Sequence, residues 1–541
     1  MIARAETQHQ PAARPHRALT PQALGLTAFE RFRPAQVDAL ERIRENRARV
    51  MIIQAPTGVG KSGIAAAAGR LLDMQAAYCC TTKGLQRQFC QTFPDAVELM
   101  GRVNYPTADG PPTMTCEDCN WKEGRGCSWC RSRDLCPYRL QKEKALAAPF
   151  AVLNTAYFLA EVNHGGAFSR PEQLLVVDEA DELEGQLLDA VTVKLSEPRL
   201  RALGMKLPRL TQTPEAEDWT RWAAEAWETA RSEARARRQE AQRLRDTGDQ
   251  RHVQADRDAR GWAGLAMRLG WLAEDLAEKR VSWVRVDDEG GLCFKPVWVG
   301  KYAHRLLWTH AERVVLMSAT IISPDQFARD LGLKREDWEW MDLPCPFPVA
   351  RRPIYFRPVA SMAQRSRLQS LPDLVAELDR ILDGCRERVL VHTHTYAVAR
   401  EVLARSRHHT RMLTYAGADE RDRVLEAFKS ASHRDGVLVA PSMERGVDLR
   451  DDLCRCVVVL LAPKPYFGDT RVKVRVQDRD GERWKLVHQI RQLCQMTGRG
   501  MRGEDDRCDS YILDSEFGGL WFSTAARNLM PGWWREAVVA P

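Results

Sequence analysis

The octapeptide Ala55-Pro-Thr-Gly-Val-Gly-Lys-Ser62 constrains this chain more than any other stretch. It stands between Val50-Met-Ile-Ile53, an apolar run that predicts a buried strand, and Ile64-Ala-Ala-Ala-Ala68, which predicts a helix. Strand, glycine loop and helix in that order are the context a P-loop requires. Gly58 and Gly60 let backbone N–H groups turn inward around phosphate oxygens, and the helix N-terminus adds the positive end of its dipole. Lys61 then reaches the β- and γ-phosphates, and the Ser62 hydroxyl ligates Mg²⁺. An ordinary glycine turn before a helix needs none of Lys61, Ser62 or this spacing. The element predicts binding of a nucleoside triphosphate.

The second half of an ATPase site follows at Leu174-Leu-Val-Val-Asp-Glu-Ala-Asp181, an apolar strand ending in carboxylates. Asp178 is placed to hold Mg²⁺ through its water shell and Glu179 to polarise the attacking water. Alone, acids after a strand are common helix starts; beside a P-loop they read as a Walker B element. Upstream, Phe29-Glu-Arg-Phe-Arg-Pro-Ala-Gln36 ends in an amide that can meet an adenine edge as donor and acceptor together. Surface polarity explains Gln36 equally well from the residues alone.

Composition suits a globular intracellular enzyme. The 541 residues suggest three or four domains, with 44% hydrophobic and 28% charged residues. No run approaches the ~20 apolar residues of a membrane span, and Met1–Gln10 lacks the apolar centre of a secretory signal. The expected location is cytoplasmic, with no membrane partner. A net charge of +7 is mildly favourable to a polyanion. Fifteen cysteines in such a chain argue for thiols and metal ligands over disulfides.

Three further segments complete a set. Arg313–Thr320 is a strand ending in Ser-Ala-Thr, Val437–Asp448 is a strand with a Gly- and acid-bearing loop, and Gln495-Met-Thr-Gly-Arg-Gly-Met-Arg502 sets two arginines three residues apart. With these the chain resembles the superfamily 2 helicases: motif I at 55–62, II at 178–181, III at 318–320, V at 442–448 and VI at 495–502. The resemblance implies two RecA-like P-loop domains, with Arg499 and Arg502 of motif VI as arginine fingers reaching across a cleft to the γ-phosphate and Gln495 beside them in the catalytic set. A guanidinium supplied by a second domain stabilises phosphoryl transfer only when the cleft shuts, so hydrolysis depends on closure.

Between motifs I and II lie Cys116, Cys119, Cys127, Cys130 and Cys136, five cysteines within 21 residues and including two Cys-x-x-Cys pairs. Such pairs converge two thiolates on one metal. By residue type alone, tetrahedral zinc and a 4Fe–4S cluster both fit. The surrounding Gly101-Arg-Val-Asn-Tyr105, Cys136-Pro-Tyr138 and Asn154-Thr-Ala-Tyr157 resemble the XPD/DinG family of iron–sulfur helicases. That resemblance implies a 4Fe–4S cluster, with zinc as the alternative. Its expected ligands are Cys116, Cys127, Cys130 and Cys136, with Cys119 in reserve for Cys116, because Pro106 stands where relatives often carry a Cys after Asn-Tyr. Arg125, Arg131, Arg133, Trp121 and Trp129 around it suit phosphate contact and base stacking, or else the filling of a small core.

The expected fold is α/β: two RecA-like P-loop domains, with a cysteine-rich metal-cluster domain and a mostly helical Arch-like insertion in the first. The boundaries are a flexible tail over 1–25, RecA-like domain 1 over 26–100, 146–182 and 286–350, the iron–sulfur domain over 101–145, the insertion over 183–285, and RecA-like domain 2 over 351–541. Trp219, Trp222, Ala226 and Ala230 mark one apolar helix face, and Thr247-Gly-Asp249 marks a hairpin turn. The arginine-dense run 231–245 reads as a solvated face or a phosphate track, His392 and His394 read as packed histidines, and Asp469–Glu482 reads as a surface loop. The resemblance implies an ATP-dependent DNA helicase translocating 5′→3′ on single-stranded DNA and opening forked duplex. The alternatives are an ATP-switched nucleic-acid scaffold without processive unwinding, and a zinc-containing RNA helicase. Protein partners in repair, phage or CRISPR-associated systems are not written in these residues.

Overall fold

The computed structural model describes residues 18–541 except 28, 112, 120–134, 164, 209–216, 280, 289–290, 442–448, 450 and 502–505. Two seven-stranded parallel sheets organise it. The first contains β1 (Val50–Gln54), β2 (Ala76–Cys80), β3 (Ala96–Leu99), β4 (Phe150–Asn154), β5 (Leu174–Asp178), β9 (Arg313–Ser318) and β10 (Trp338–Asp342), in the order β10-β1-β9-β5-β2-β4-β3. β1, β2 and β5 are buried at every position, as the continuous apolar runs Val50–Ile53 and Leu174–Val177 require of strands covered on both faces. The helix α1 (Lys61–Leu72) leaves the P-loop and buries its alanine stripe against this sheet.

Strands β6 (Val193–Ser196), β7 (Trp283–Asp288) and β8 (Gly291–Pro296) form an antiparallel sheet of their own, in the order β6-β8-β7. Between β6 and β7 rises a helical hairpin, α2 (Glu217–Asp246) and α3 (His252–Glu278), which turns at Thr247–Asp249. Trp219, Trp222, Ala226 and Ala230 form its buried face. The arginines of 231–245 stand mostly in water; Arg231 pairs with Glu228 and Arg237 with Glu233 and Glu240, three or four residues away, while Arg245 reaches Asp256 across the hairpin. Asp275 is fully buried and accepts from Trp283 Nε1 at 2.9 Å and from Lys301 and Tyr302, tying the hairpin to its base. The inserted sheet runs to Pro296, so a boundary at 285 divides a β-hairpin: β7 and β8 belong with the insertion.

The second parallel sheet contains β11 (Ile354–Ala360), β12 (Val389–His392), β13 (Met412–Leu413), β14 (Val437–Ala440), β15 (Cys456–Val459), β16 (Asp509–Asp514) and β17 (Val538–Val539), in the order β13-β14-β12-β15-β16-β11-β17. Alternate residues serve opposite cores: Val389 and Val391 one, Leu390 the other. His392 is packed at 1% exposure within β12, and His394 follows in the left-handed region at φ 56°.

One expectation fails. Asp469–Glu482 is not a surface loop. It carries helix α4 (Thr470–Gln477), N-capped by the Asp469 carboxylate, and the start of α5 (Gly481–Thr497). Its Arg471 and Arg475 are buried. Among the described residues no helix is long and apolar enough to cross a membrane.

Candidate active site between the two parallel-sheet domains

Gly58 and Gly60 both take the left-handed backbone, at φ 89° and 87°, which a side chain would resist. An added Cβ at Gly58 would also overlap the Phe347 ring, and one at Gly60 would press on the Gln36 amide. The glycines are thus fixed by backbone shape and by close neighbours. Gln36 is buried at 6% exposure, where its Oε1 accepts from Arg33 N at 2.9 Å and its Nε2 donates to Gly60 O at 3.1 Å. Arg33 donates to Gly58 O. Both therefore brace the P-loop itself.

β5 delivers Asp178 to the mouth of this loop. Its Oδ2 accepts from Tyr78 OH at 2.8 Å, and its Oδ1 lies 3.6 Å from Lys61 Nζ. Glu179 follows with φ 52°, which turns its carboxylate to accept from Lys61 Nζ at 2.8 Å. Burial opposes the charge on Lys61, but Glu179, Asp178 and Asp181 outweigh it and raise its pKa. The Tyr78 hydroxyl is pushed well above its usual range, first by burial and then by Asp178, so it stays a donor. Ser62 starts α1 beside Lys61.

Asp181, which spacing alone gave no task, is the hub. It is 4% exposed and accepts from Ser318 Oγ at 2.6 Å and Thr320 Oγ1 at 3.0 Å on the first domain, and from Gln495 Nε2 at 2.6 Å on the second. Gln495 also donates to Thr320 Oγ1 at 3.1 Å, and Arg491, one turn earlier on α5, donates to Thr320 O at 3.1 Å. Motifs II, III and VI are thus joined through hydrogen bonds across the cleft. Arg499, just past the end of α5, is 9% exposed. Arg502 and the motif V loop 442–448 lie outside the described residues.

At the cysteines, Cys116 Sγ and Cys136 Sγ stand 4.0 Å apart, although twenty residues separate them. Cys119 is buried. Cys127 and Cys130, with Trp121, Trp129, Arg125, Arg131 and Arg133, fall outside the described residues, and among those described no group of three or more metal-binding side chains gathers. Two convergent thiols fit thiolate ligation of a metal. Asp118, between Cys116 and Cys119, accepts from Arg257 Nε of α3 at 2.7 Å and fastens the hairpin to this segment.

The loop at 55–62, the strand ending at Asp178 and a second parallel sheet that reaches back to both form one site between two α/β domains. Residues 378–537 match the helicase C-terminal domain family. Among solved structures, an XPD helicase shares 15% identity at a TM-score of 0.60, covering 95% of this chain and 100% of that one. An apo XPD structure gives 15% and 0.60, covering 94% and 100%. Xpd4 of S. tokodaii gives 14% and 0.57, also covering 94% and 100%. A search of curated proteins returned no match. Residues 378–537 thus carry a helicase C-terminal domain, and the chain as a whole shares the fold of the solved XPD helicases.

Proposed function

We propose that this protein is an ATP-dependent DNA helicase that translocates 5′→3′ on single-stranded DNA. The observation that carries the reading is Asp181, whose carboxylate is held at once by Ser318 and Thr320 of one domain and Gln495 of the other. An ATPase whose hydrolysis centre is bonded across its cleft couples chemistry to domain motion, which is what a motor needs. Polarity and the preference for DNA rest on the resemblance to XPD/DinG-type helicases.

Lys61 is ion-paired with Glu179 at 2.8 Å and lies 3.6 Å from Asp178. Triphosphate oxygens compete for its ammonium, and their arrival frees Glu179 to orient and deprotonate water. Ser62 and Asp178 would hold Mg²⁺, which would neutralise phosphate charge there, Gln36 braces the loop that cradles the nucleotide, and Arg499 and Arg502 would neutralise charge on the transferred phosphoryl group. Cys116, Cys127, Cys130 and Cys136 would hold a metal, which would supply the cross-link on which that small segment folds. The assignment is a 4Fe–4S cluster. A single zinc is the second reading, favoured by the 4.0 Å sulfur spacing: two thiolates about 2.3 Å from one tetrahedral ion lie ~3.8 Å apart.

Strand displacement on duplexes with 5′ or 3′ single-stranded tails tests the activity. Unwinding of the 5′-tailed substrate alone, lost in Lys61→Ala, is the expected result. ATP hydrolysis without displacement of either substrate would support the switched scaffold instead.

A further inference from the structure

Helix α4 belongs to the second domain, yet its two arginines, four residues apart on one face, are spent on the first. Arg475 has no exposed side-chain surface. Its Nη1 donates to Glu184 Oε1 at 2.8 Å and its Nη2 to Asp330 Oδ1 at 2.9 Å. Its guanidinium lies 4.0 Å from the Trp298 ring centre and 5.0 Å from that of Trp484. Arg471 donates to the same Glu184 oxygen at 2.5 Å and to the carbonyls of Pro296 and Val297 at 3.1 and 3.2 Å. Burial alone would raise the Glu184 pKa, but the two guanidiniums overcome it and hold it low; Asp330 is shifted upward, by burial and then by Glu184.

Glu184 stands three residues beyond Asp181, and Asp330 ends the helix Pro324–Asp330 that follows Thr320. The cluster therefore fastens the two segments whose neighbouring residues, Asp181 and Thr320, bind Gln495 across the cleft. Among the described residues, Arg475 bonds Glu184, Val297 and Asp330 and none of the nucleotide-site residues named above. Flanking contacts follow the same seam: Lys295 with Asp469 at 3.3 Å, Arg329 with Asp480 at 2.5 Å and Arg483 with Ser323 at 3.0 Å.

We propose that Arg475, with Arg471, is a positioning clamp that lets the domain cleft close in one pose only, the pose that presents motif VI to the nucleotide. The inference rests on the ATPase reading given above. Taking four charged side chains out of water is costly, and their mutual attraction offsets that cost only in near-ideal geometry. Closure in any other register leaves carboxylates buried without partners. The clamp thus makes closure selective without touching the reacting atoms.

The test uses the full chain labelled once in each parallel-sheet domain, with interdomain distances read by pulsed EPR. Without nucleotide, wild type gives one narrow distribution and Arg475→Ala a broad or longer one. At saturating ATP and single-stranded DNA, Arg475→Ala loses at least tenfold in kcat, while its nucleotide Kd stays within about threefold. Arg475→Lys falls between, because one ammonium cannot span both carboxylates as a planar fork does. The triple variant Arg475→Met, Glu184→Gln, Asp330→Asn removes the charge conflict and recovers kcat to within about threefold of wild type, since apolar or neutral replacements of a buried ion cluster are often tolerated. An unchanged distribution and kcat in Arg475→Ala would overturn the clamp, as would a triple variant as slow as Arg475→Ala at equal melting temperature. If wild type hydrolyses no ATP, the ATPase reading fails, and the nucleotide-free distances still decide whether the clamp exists.

Discussion

Gln495→Ala isolates the bond between the domains at the hydrolysis centre. The substitution removes a donor 2.6 Å from Asp181 Oδ2 and 3.1 Å from Thr320 Oγ1. Hydrogen bonds to charged groups contribute about 1.5–3 kcal/mol net. Asp181 keeps its Ser318 and Thr320 donors, so no bare carboxylate is left behind and the loss sits near ~2 kcal/mol. At about 1.4 kcal/mol per tenfold, that weakens cleft closure roughly 30-fold. Among the described residues, Gln495 bonds Asp181 and Thr320 and no P-loop residue, so affinity for a fluorescent ATP analogue is expected to stay near wild type. The DNA-stimulated kcat falls by the closure factor. Gln495→Glu sets a second carboxylate against Asp181 and is expected to be slower still. An Ala variant within twofold of wild-type kcat would refute the argument, and an equal loss of nucleotide affinity would reassign Gln495 to ground-state binding.

Other expectations follow from single contacts. Gly58→Ala must hold an L side chain at φ 89° and displace the Phe347 ring, so nucleotide affinity should drop at least ~10-fold, measured by equilibrium titration. Arg499→Ala should leave nucleotide binding near normal while costing on the order of 10³-fold in hydrolysis, read in single turnover. Cys136→Ser removes the sulfur 4.0 Å from Cys116, and metal analysis should show the bound iron or zinc lost while part of the ATPase survives. Wild type prepared without oxygen should carry about four irons per chain and absorb broadly near ~400 nm, and one zinc in colourless protein would select the second reading.

What the sequence made legible was whatever local chemistry dictates. Gly58 and Gly60 announce a backbone that only glycine adopts comfortably, and runs such as Leu174–Val177 announce strands covered on both faces. Long-range pairing leaves no such mark. Nothing near Val50 specifies that it lies between Val314 and Trp338, and the order of the first sheet follows from that placement. Gln36 was balanced between a surface amide and a nucleotide contact because its outcome depends on Gly60 coming within 3.1 Å, which the P-loop fold decides.

Arg471 and Arg475 show the limit most clearly, and they also show why charge patterning misleads at a moving interface. In Thr470-Arg-Val-Lys-Val-Arg475, basic residues spaced along a helix have the signature of a solvated face, and Arg231 and Arg237 of α2 are indeed solvated and locally paired. The difference lies in the partners. Those of Arg231 and Arg237 sit three or four residues away, whereas Arg475 finds Glu184 and Asp330 at separations of 291 and 145 residues. A guanidinium with local acids is stable in water whatever the domains do. One that must cross a domain boundary to be neutralised is satisfied only when that boundary is closed. The same four-residue spacing therefore describes a passive surface in α2 and a closure-dependent contact in α4, and only the position of distant carboxylates separates the two.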